Sequence, residues 1–292
     1  MRLLNHKFLT HFLGALAIVV LVSMTASGQK PAPKPFEAGE QLTYRAEISR
    51  SLLKKLDVAT FRFSTDRDSA GTTRNPNDSL TTSPPTYSLK FIGDVSSDGF
   101  FTKLFNINFH QHVVSLVDPQ SFAVQKTVKL DQQGKRVRES EAYFDQKNGK
   151  VIWTERDPND PARVPRTATS DFSGQVNDVV SAIYYLRTQQ LDLGKSFAVA
   201  ISDSGRVYQV PVRVVERKRM KTVLGRVTVL RVDPELFGER GLVNARGQFS
   251  VWLTDDYRHI PVSARIKGEF GTFDITLKKL SQQVTQAALV RE

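Results

Sequence analysis

The chain has 292 residues, with 41 Lys and Arg against 30 Asp and Glu, and no cysteine. The missing thiol excludes cysteine catalysis, disulfide exchange and thiolate zinc sites, and a net charge of +11 points toward anionic partners. With no disulfide possible, stability rests on core burial and sheet pairing, which a chain of this size can supply.

Arg2, His6 and Lys7 precede an uninterrupted apolar run, Phe12 to Val22, and the small residues of "MTASGQ" follow. These are the charged, apolar and cleavage regions of a secretory signal peptide, predicted over residues 1–28. The run is shorter than the roughly 20 apolar residues of a spanning helix; retention as an N-terminal anchor is the alternative. Removing Arg2 and Lys7 takes the net charge from +11 to +9. Residues 29–39 hold Pro31, Pro33 and Pro35 and read as an extended, polyproline-like leader. No later stretch is long and apolar enough to span a bilayer. The expected destination is the periplasm or the extracellular space. There a basic protein meets lipid headgroups and acidic envelope polymers, not nucleic acid.

From residue 40 the pattern becomes period-two alternation, the mark of half-buried strands. Leu42, Tyr44, Ala46 and Ile48 share one face, and Phe61 and Phe63 continue the rule. Residues 66–85 break it with Ser, Thr, Asn, Asp and Pro, and read as a solvated loop insertion. Strands resume at "TYSLKFIGDV", "INFHQHVVSLVD", "EAYFD" and "KVIWTER". Asn148–Gly149, between Phe144 and Val151, is a strong hairpin signal. "DPNDPARVPRTATSDFSG" reads as a polar linker. One helix is predicted over about residues 177–189, because Val176, Val179, Val180, Ile183 and Leu186 recur at helical spacing. Asn177 or Asp178 can cap its start, and Gly194 lies beyond its end. The expected core-facing side is Val179, Val180, Ile183 and Leu186, with Ser181, Tyr184, Tyr185 and Arg187 opposite. Alternation then returns in six further segments, from "KSFAVAIS" to "GTFDITLKKL", and residues 283–292 form a tail. The fold class expected is all-β with one principal helix: a single domain over residues 40–282, an antiparallel β-barrel or a strongly curved β-sandwich.

Three blocks in this order, "PFEAGEQLTYRAEI", "NDVVSAIYYLR" and "FSVWLTDDYRHIPVSARIKGEFGTFDITL", resemble a family of exported bacterial proteins known as domain of unknown function 3108. The resemblance runs from about Pro35 to Leu280, with residues 66–85 as an insertion. It implies an exported, β-rich, barrel-like domain and no established catalytic residues.

Four features could carry chemistry. "DDYRH", Asp255 to His259, connects two predicted strands. Asp is a favoured turn residue, and adjacent turn carboxylates diverge, whereas acid–base work needs them to converge. Asp255, Asp256 and Arg258 therefore read as turn or ligand-binding residues, with an Asp–Arg258 pair fixing the hairpin. His110 and His112 lie two apart on one strand face, an arrangement for two imidazole metal ligands that still needs a third; the bland alternative is a solvated pair. "ERKRMK", Glu216 to Lys221, tops a predicted hairpin and could grip lipid phosphates or be a solvated tip. Arg187 ends the helix and completes the set of possible ligand or structural residues. No glycine-rich phosphate loop, HExxH or GxSxG occurs, and no cofactor is expected.

The function expected from sequence is a non-enzymatic exported β-barrel that binds an envelope ligand, a lipid or other amphiphile, or assists envelope assembly. The alternatives are a carboxylate-based hydrolase of envelope glycans and a scaffold module using sheet edges.

Overall fold

The computed structural model describes residues 34–50, 53–68, 87–97, 108–269 and 271–282. The predicted signal segment, the first part of the leader and the C-terminal tail lie outside these residues.

Among the described residues, fifteen strands join one sheet. In chain order they are β1 (Glu40–Arg50), β2 (Leu53–Asp68), β3 (Ser88–Ser97), β4 (Phe109–Val117), β5 (Val124–Gln133), β6 (Arg136–Asp145), β7 (Lys150–Arg156) and β8 (Arg166–Asp171). There follow β9 (Val176–Asp178), the helix α1 (Val179–Thr188), β10 (Ser196–Asp203), β11 (Arg206–Thr222), β12 (Gly225–Pro234), β13 (Gly247–Thr254), β14 (Pro261–Gly268) and β15 (Gly271–Gln282). Strands β1 to β8 form one antiparallel meander, β10 to β15 a second, and the two are joined where β1 pairs with β15. Among the strands described, the one parallel pairing is β9 on β10, bridged by α1 as a crossover.

The fold is thus all-β with one principal helix, as expected, and its described strands are joined in one continuous sheet. The end strands β8 and β9 do not pair with each other. The edges nevertheless approach: Ser170 Oγ in β8 donates to Gly205 O in the β10–β11 turn, 2.7 Å. Gly205 has φ +74°, and a Cβ there would come within 2.6 Å of Ala168 Cβ. Only glycine allows both the turn and the contact.

Two expectations need revision. Strand β2 continues through Asp68, so the first residues of the predicted loop 66–85 are strand; the rest of that loop lies outside the described residues apart from the end of β2. The "polar linker" contains β8, whose residues are largely exposed. An edge strand with Thr and Ser on both faces has no apolar alternation to read.

Helix α1 packs against β3, β4 and β10 on the concave side. It approaches Gly93 of β3 closely enough that a Cβ there would meet Val180 Cγ2 at 2.8 Å. Its buried residues are Val180, Ser181, Ala182, Tyr184, Leu186 and Arg187, while Val179 is 43% exposed and Ile183 half-buried. The expected core face is thus corrected in part: Val180 and Leu186 are buried as expected, Tyr184 and Arg187 join them, and the Val179–Ile183 stripe turns elsewhere. No helix among the described residues is long and apolar enough to cross a membrane.

Candidate functional site

The stripe turns into a cavity of about 450 Å³ on the concave side of the sheet. Inward-facing residues of many strands line it, among them Phe61, Phe63, Val95, Phe144, Trp153, Val210, Val251, Leu253 and Ile275. Alternation places these side chains inward on each strand, and α1 contributes Val179, Val180, Ala182, Ile183 and Leu186. The polar lining is sparse: Gln111, Thr127, Lys129, Ser140, Asp178 and the Ser202–Ser204 turn, with Ser263. Lys129 Nζ stands 3.9 Å from Asp203 Oδ1. An apolar hollow with few polar groups is the chemistry of a small-molecule site, and its size falls in the usual range of about 300–1,000 Å³.

Asp178 anchors the helix over this hollow. Its Oδ1 accepts from Val180 N (2.8 Å), Ser181 N (3.1 Å) and Ser115 Oγ (2.7 Å). Its Oδ2 accepts from Ser181 Oγ (2.9 Å) and Thr127 Oγ1 (3.1 Å). The same Ser181 hydroxyl accepts from Asp178 N at 2.9 Å, closing a capping box. Ser181, placed by the sequence pattern on the helix face opposite the expected core side, is part of this cap. Two hydroxyls from β4 and β5 thereby tie the start of the helix to the sheet.

The other end of α1 is tied by charge. Arg187, with its side chain fully buried, donates from Nη1 to Glu40 Oε1 (2.6 Å) and from Nη2 to Glu40 Oε2 (3.1 Å). It also donates to Pro35 O (2.6 Å) and, through Nε, to Arg258 O (3.1 Å). Arg258 Nη2 reaches the same Glu40 Oε2 at 2.8 Å. The guanidinium of Arg187 lies over the rings of Phe36 and Tyr184. His259 Nδ1 donates to Arg187 O at 3.0 Å. Nearby, Tyr44 OH donates to Pro261 O at 2.7 Å. Burial pushes the Tyr44 and Tyr184 hydroxyls well above the usual phenol range, so both stay protonated. Phe36 closes this end by stacking edge-on against Phe91 and Tyr184.

The structure therefore brings two sequence candidates, Arg187 and Arg258, together on Glu40, which sequence reasoning missed. It also corrects the expected Asp–Arg258 pair. Asp255 pairs with Arg217 instead. Asp256 Oδ1 accepts from Arg258 N (3.0 Å), His259 N (3.2 Å) and Thr254 Oγ1 (2.8 Å), and so shapes the turn. Lys129 and Asp203 were also absent from the sequence candidates, since a lone Lys in a polar strand gives no local signal.

His110 and His112 lie on the face of β4 opposite Gln111 and Val113, which line the cavity. A carboxylate from the neighbouring strand does reach them: Asp94 Oδ2 is 2.9 Å from His110 Nε2 and 3.3 Å from His112 Nδ1. Arg62 approaches its other oxygen at 3.8 Å. Among the described residues, no group of three or more such side chains is arranged to hold a metal. The hydrogen bond that His110 donates to Asp94 raises the His110 pKa above its ordinary value. Burial would raise that of Asp94, but the bonds from His110 and His112 outweigh it and hold the carboxyl below its ordinary value.

Comparison with known proteins bears on the fold. No curated protein matches the chain. The crystal structure of a β-barrel-like protein of domain of unknown function DUF1849 from Brucella abortus is similar at 12% identity, with TM-score 0.50, covering 84% of this chain and 98% of that one. A lipoprotein candidate from Parabacteroides distasonis aligns over 85% of this chain and 97% of its own, at 8% identity and TM-score 0.29. The family of proteins of unknown function DUF3108 matches residues 56–278, from within β2 to β15, which leaves Glu40 and all of β1 outside the matched span. On that match, over most of its length, the chain belongs to the DUF3108 family.

Proposed function

We propose that this protein is an exported, non-enzymatic carrier that holds the apolar portion of an amphiphile, such as the acyl chain of a lipid, in the cavity beneath α1. The observation that carries the reading is the Val179–Ile183 stripe. These two apolar side chains face the hollow and not a packed core, although burying them fully would stabilise the fold by up to about 1.5–3 kcal/mol each. An apolar ligand supplies the burial that the protein itself leaves incomplete. The polar groups on one stretch of the lining, Gln111, Lys129, Ser140 and Asp203, offer partners for a headgroup. The carboxylates lining the cavity support binding over hydrolysis, because Asp178 is saturated by five donors and Asp203 stands beside Lys129. The apolar segment before residue 29 supports export.

The test is native mass spectrometry of protein purified from its own host, followed by titration with a fluorescent fatty-acid analogue. Co-purifying amphiphile and saturable binding are expected, with Ile183→Asp lowering affinity at least tenfold. Unchanged binding by a folded Ile183→Asp variant, or no binding of any acyl probe by the folded wild type, would sink the proposal.

A further inference from the structure

The β11–β12 hairpin outreaches its neighbours. Pairing of β10 with β11 ends at Ser196–Arg213, and β12 pairs with β13 only over Val229–Val232. The two strands nevertheless continue together as far as Thr222 and Gly225. Among the described residues, beyond Val214 on one side and Thr228 on the other the ribbon's strand partners are only each other. Burial alternates along its length: Arg217, Arg219 and Lys221 are exposed, whereas Lys218, Met220 and Thr222 between them are partly covered. Met220, Leu224 and Val227 pack toward the core cluster that contains Trp252. The opposite face is cationic.

Register sharpens the point. Lys221 lies directly across from Arg226, and Arg219 across from Thr228. Directly opposed like charges in an antiparallel pair are destabilising, and a two-stranded ribbon is marginal to begin with. Acidic partners hold the cations lower on the hairpin: Arg217 pairs with Asp255, and Lys218 and Arg231 with Glu216. Arg219, Lys221 and Arg226 make no ion pair among the described residues. At the apex, Val223 is 53% exposed, in a turn fixed by the Thr222 hydroxyl, which accepts from Leu224 N at 3.0 Å.

We propose that this hairpin tip docks the protein on an anionic phospholipid bilayer. Arg219, Lys221 and Arg226 meet the lipid phosphates, and Val223 seats at the apolar boundary. The phosphates supply the negative charge that the fold withholds from the Lys221–Arg226 pair. An aliphatic apex suits a bilayer surface, and the cationic face carries no aromatic side chain on which a base could stack. The surface is distinct from the cavity, so the proposal stands or falls independently of the carrier reading.

The experiment is co-sedimentation with vesicles of phosphatidylglycerol and phosphatidylcholine, against pure phosphatidylcholine, at low and high salt. Binding is expected only to the anionic vesicles and should weaken with salt. At roughly fivefold per cation near the surface, Arg219→Gln/Lys221→Gln/Arg226→Gln should weaken it about a hundredfold. Its melting temperature should hold or rise, since the opposed charges are gone. Val223→Ser, which keeps every cation, should weaken binding several-fold. A control that removes as many cations elsewhere, Arg136→Gln/Arg156→Gln/Arg166→Gln, should lose far less. Equal losses in the two triple variants would overturn the proposal, as would absent wild-type binding to anionic vesicles. So would a hairpin variant that loses affinity for a DNA duplex but keeps its affinity for the vesicles.

Discussion

The carboxylate of Glu40 and the guanidinium of Arg187, 147 residues apart in the chain, meet through bonds of 2.6 and 3.1 Å with both side chains sealed from solvent. Arg258 adds a second cation to the same carboxylate. The three belong to the start of β1, the end of α1 and the β13–β14 turn. They fasten three separate parts of the chain at one point.

Removing one member of a buried pair leaves an uncompensated charge. Arg187→Met should cost about 3–5 kcal/mol in denaturant unfolding. The double variant Glu40→Gln/Arg187→Met should lose clearly less than the sum of the two single losses. Additive losses would mean that the pair is not a coupled unit.

The two sides of α1 should respond in opposite ways. Ile183→Ser, on the cavity side, should cost no more than about 1 kcal/mol. Tyr184→Ala should cost about 3–5 kcal/mol, because the ring stacks on Phe91 with centroids 4.1 Å apart. Tyr184→Phe should be neutral or mildly stabilising, since the hydroxyl is buried with no hydrogen-bond partner among the described residues. Thermal melts of the three variants decide it; a larger loss in Ile183→Ser than in Tyr184→Ala would restore the orientation expected from sequence.

That orientation shows what periodicity can and cannot say. Helical spacing of Val176, Val179, Val180, Ile183 and Leu186 identified a helix, and Asp178 caps it. Spacing is silent on what an apolar stripe faces, and here it faces a hollow. Strands with apolar inner faces, such as Phe61 and Phe63, were legible. Strand β5 was not, because its inward residues include Thr127 and Lys129, and neither was the largely exposed β8. The Glu40 cluster was half visible. Arg187 and Arg258 stood out as charges beside apolar runs, but their shared partner depends on the pairing of β1 with β15, a contact with no local trace.

At the β13–β14 turn, Asp256→Ala should cost about 1–2 kcal/mol, by analogy with loss of a helix cap. Asp256→Asn keeps an acceptor oxygen for the amides of Arg258 and His259 and should be milder. Melting curves of the two variants test the order. An Asn variant as damaging as Ala would mean that the charge, not the oxygen, shapes the turn.

The His110–Asp94 contact should give a modest pH dependence. The His110 pKa is raised from the ordinary 6.5, so its contribution is complete below that value and is lost as pH rises through the folded-state pKa. The Asp94 pKa is lowered from 3.8, so its contribution is present above that value and is lost as pH falls through the folded-state pKa. The contact should therefore stabilise most between about pH 4 and 6. Partial exposure limits it to about 0–1 kcal/mol. Comparing the stability of wild type and His110→Gln at pH 5 and pH 8 measures it: the gap should be larger at pH 5, and a larger gap at pH 8 would contradict the assignment.

The join between the first and last strands has a further consequence. Glu40 is the register partner of Gln282, so a short turn could link the end of β15 to the start of β1. Opening the chain instead between Asp171 and Val176 would give a circular permutant that begins at β9 and ends at β8. Every neighbouring pair in its sheet would then be consecutive in sequence, from β9 through β15 to β1 and on to β8. The natural chain is thus a sequentially ordered sheet cut at its middle, and its β1–β15 ladder must close a loop that spans nearly the whole domain. Because long-range closure slows folding, the permutant should reach the same structure faster. The natural β1 edge, by contrast, waits for the last strand to be made.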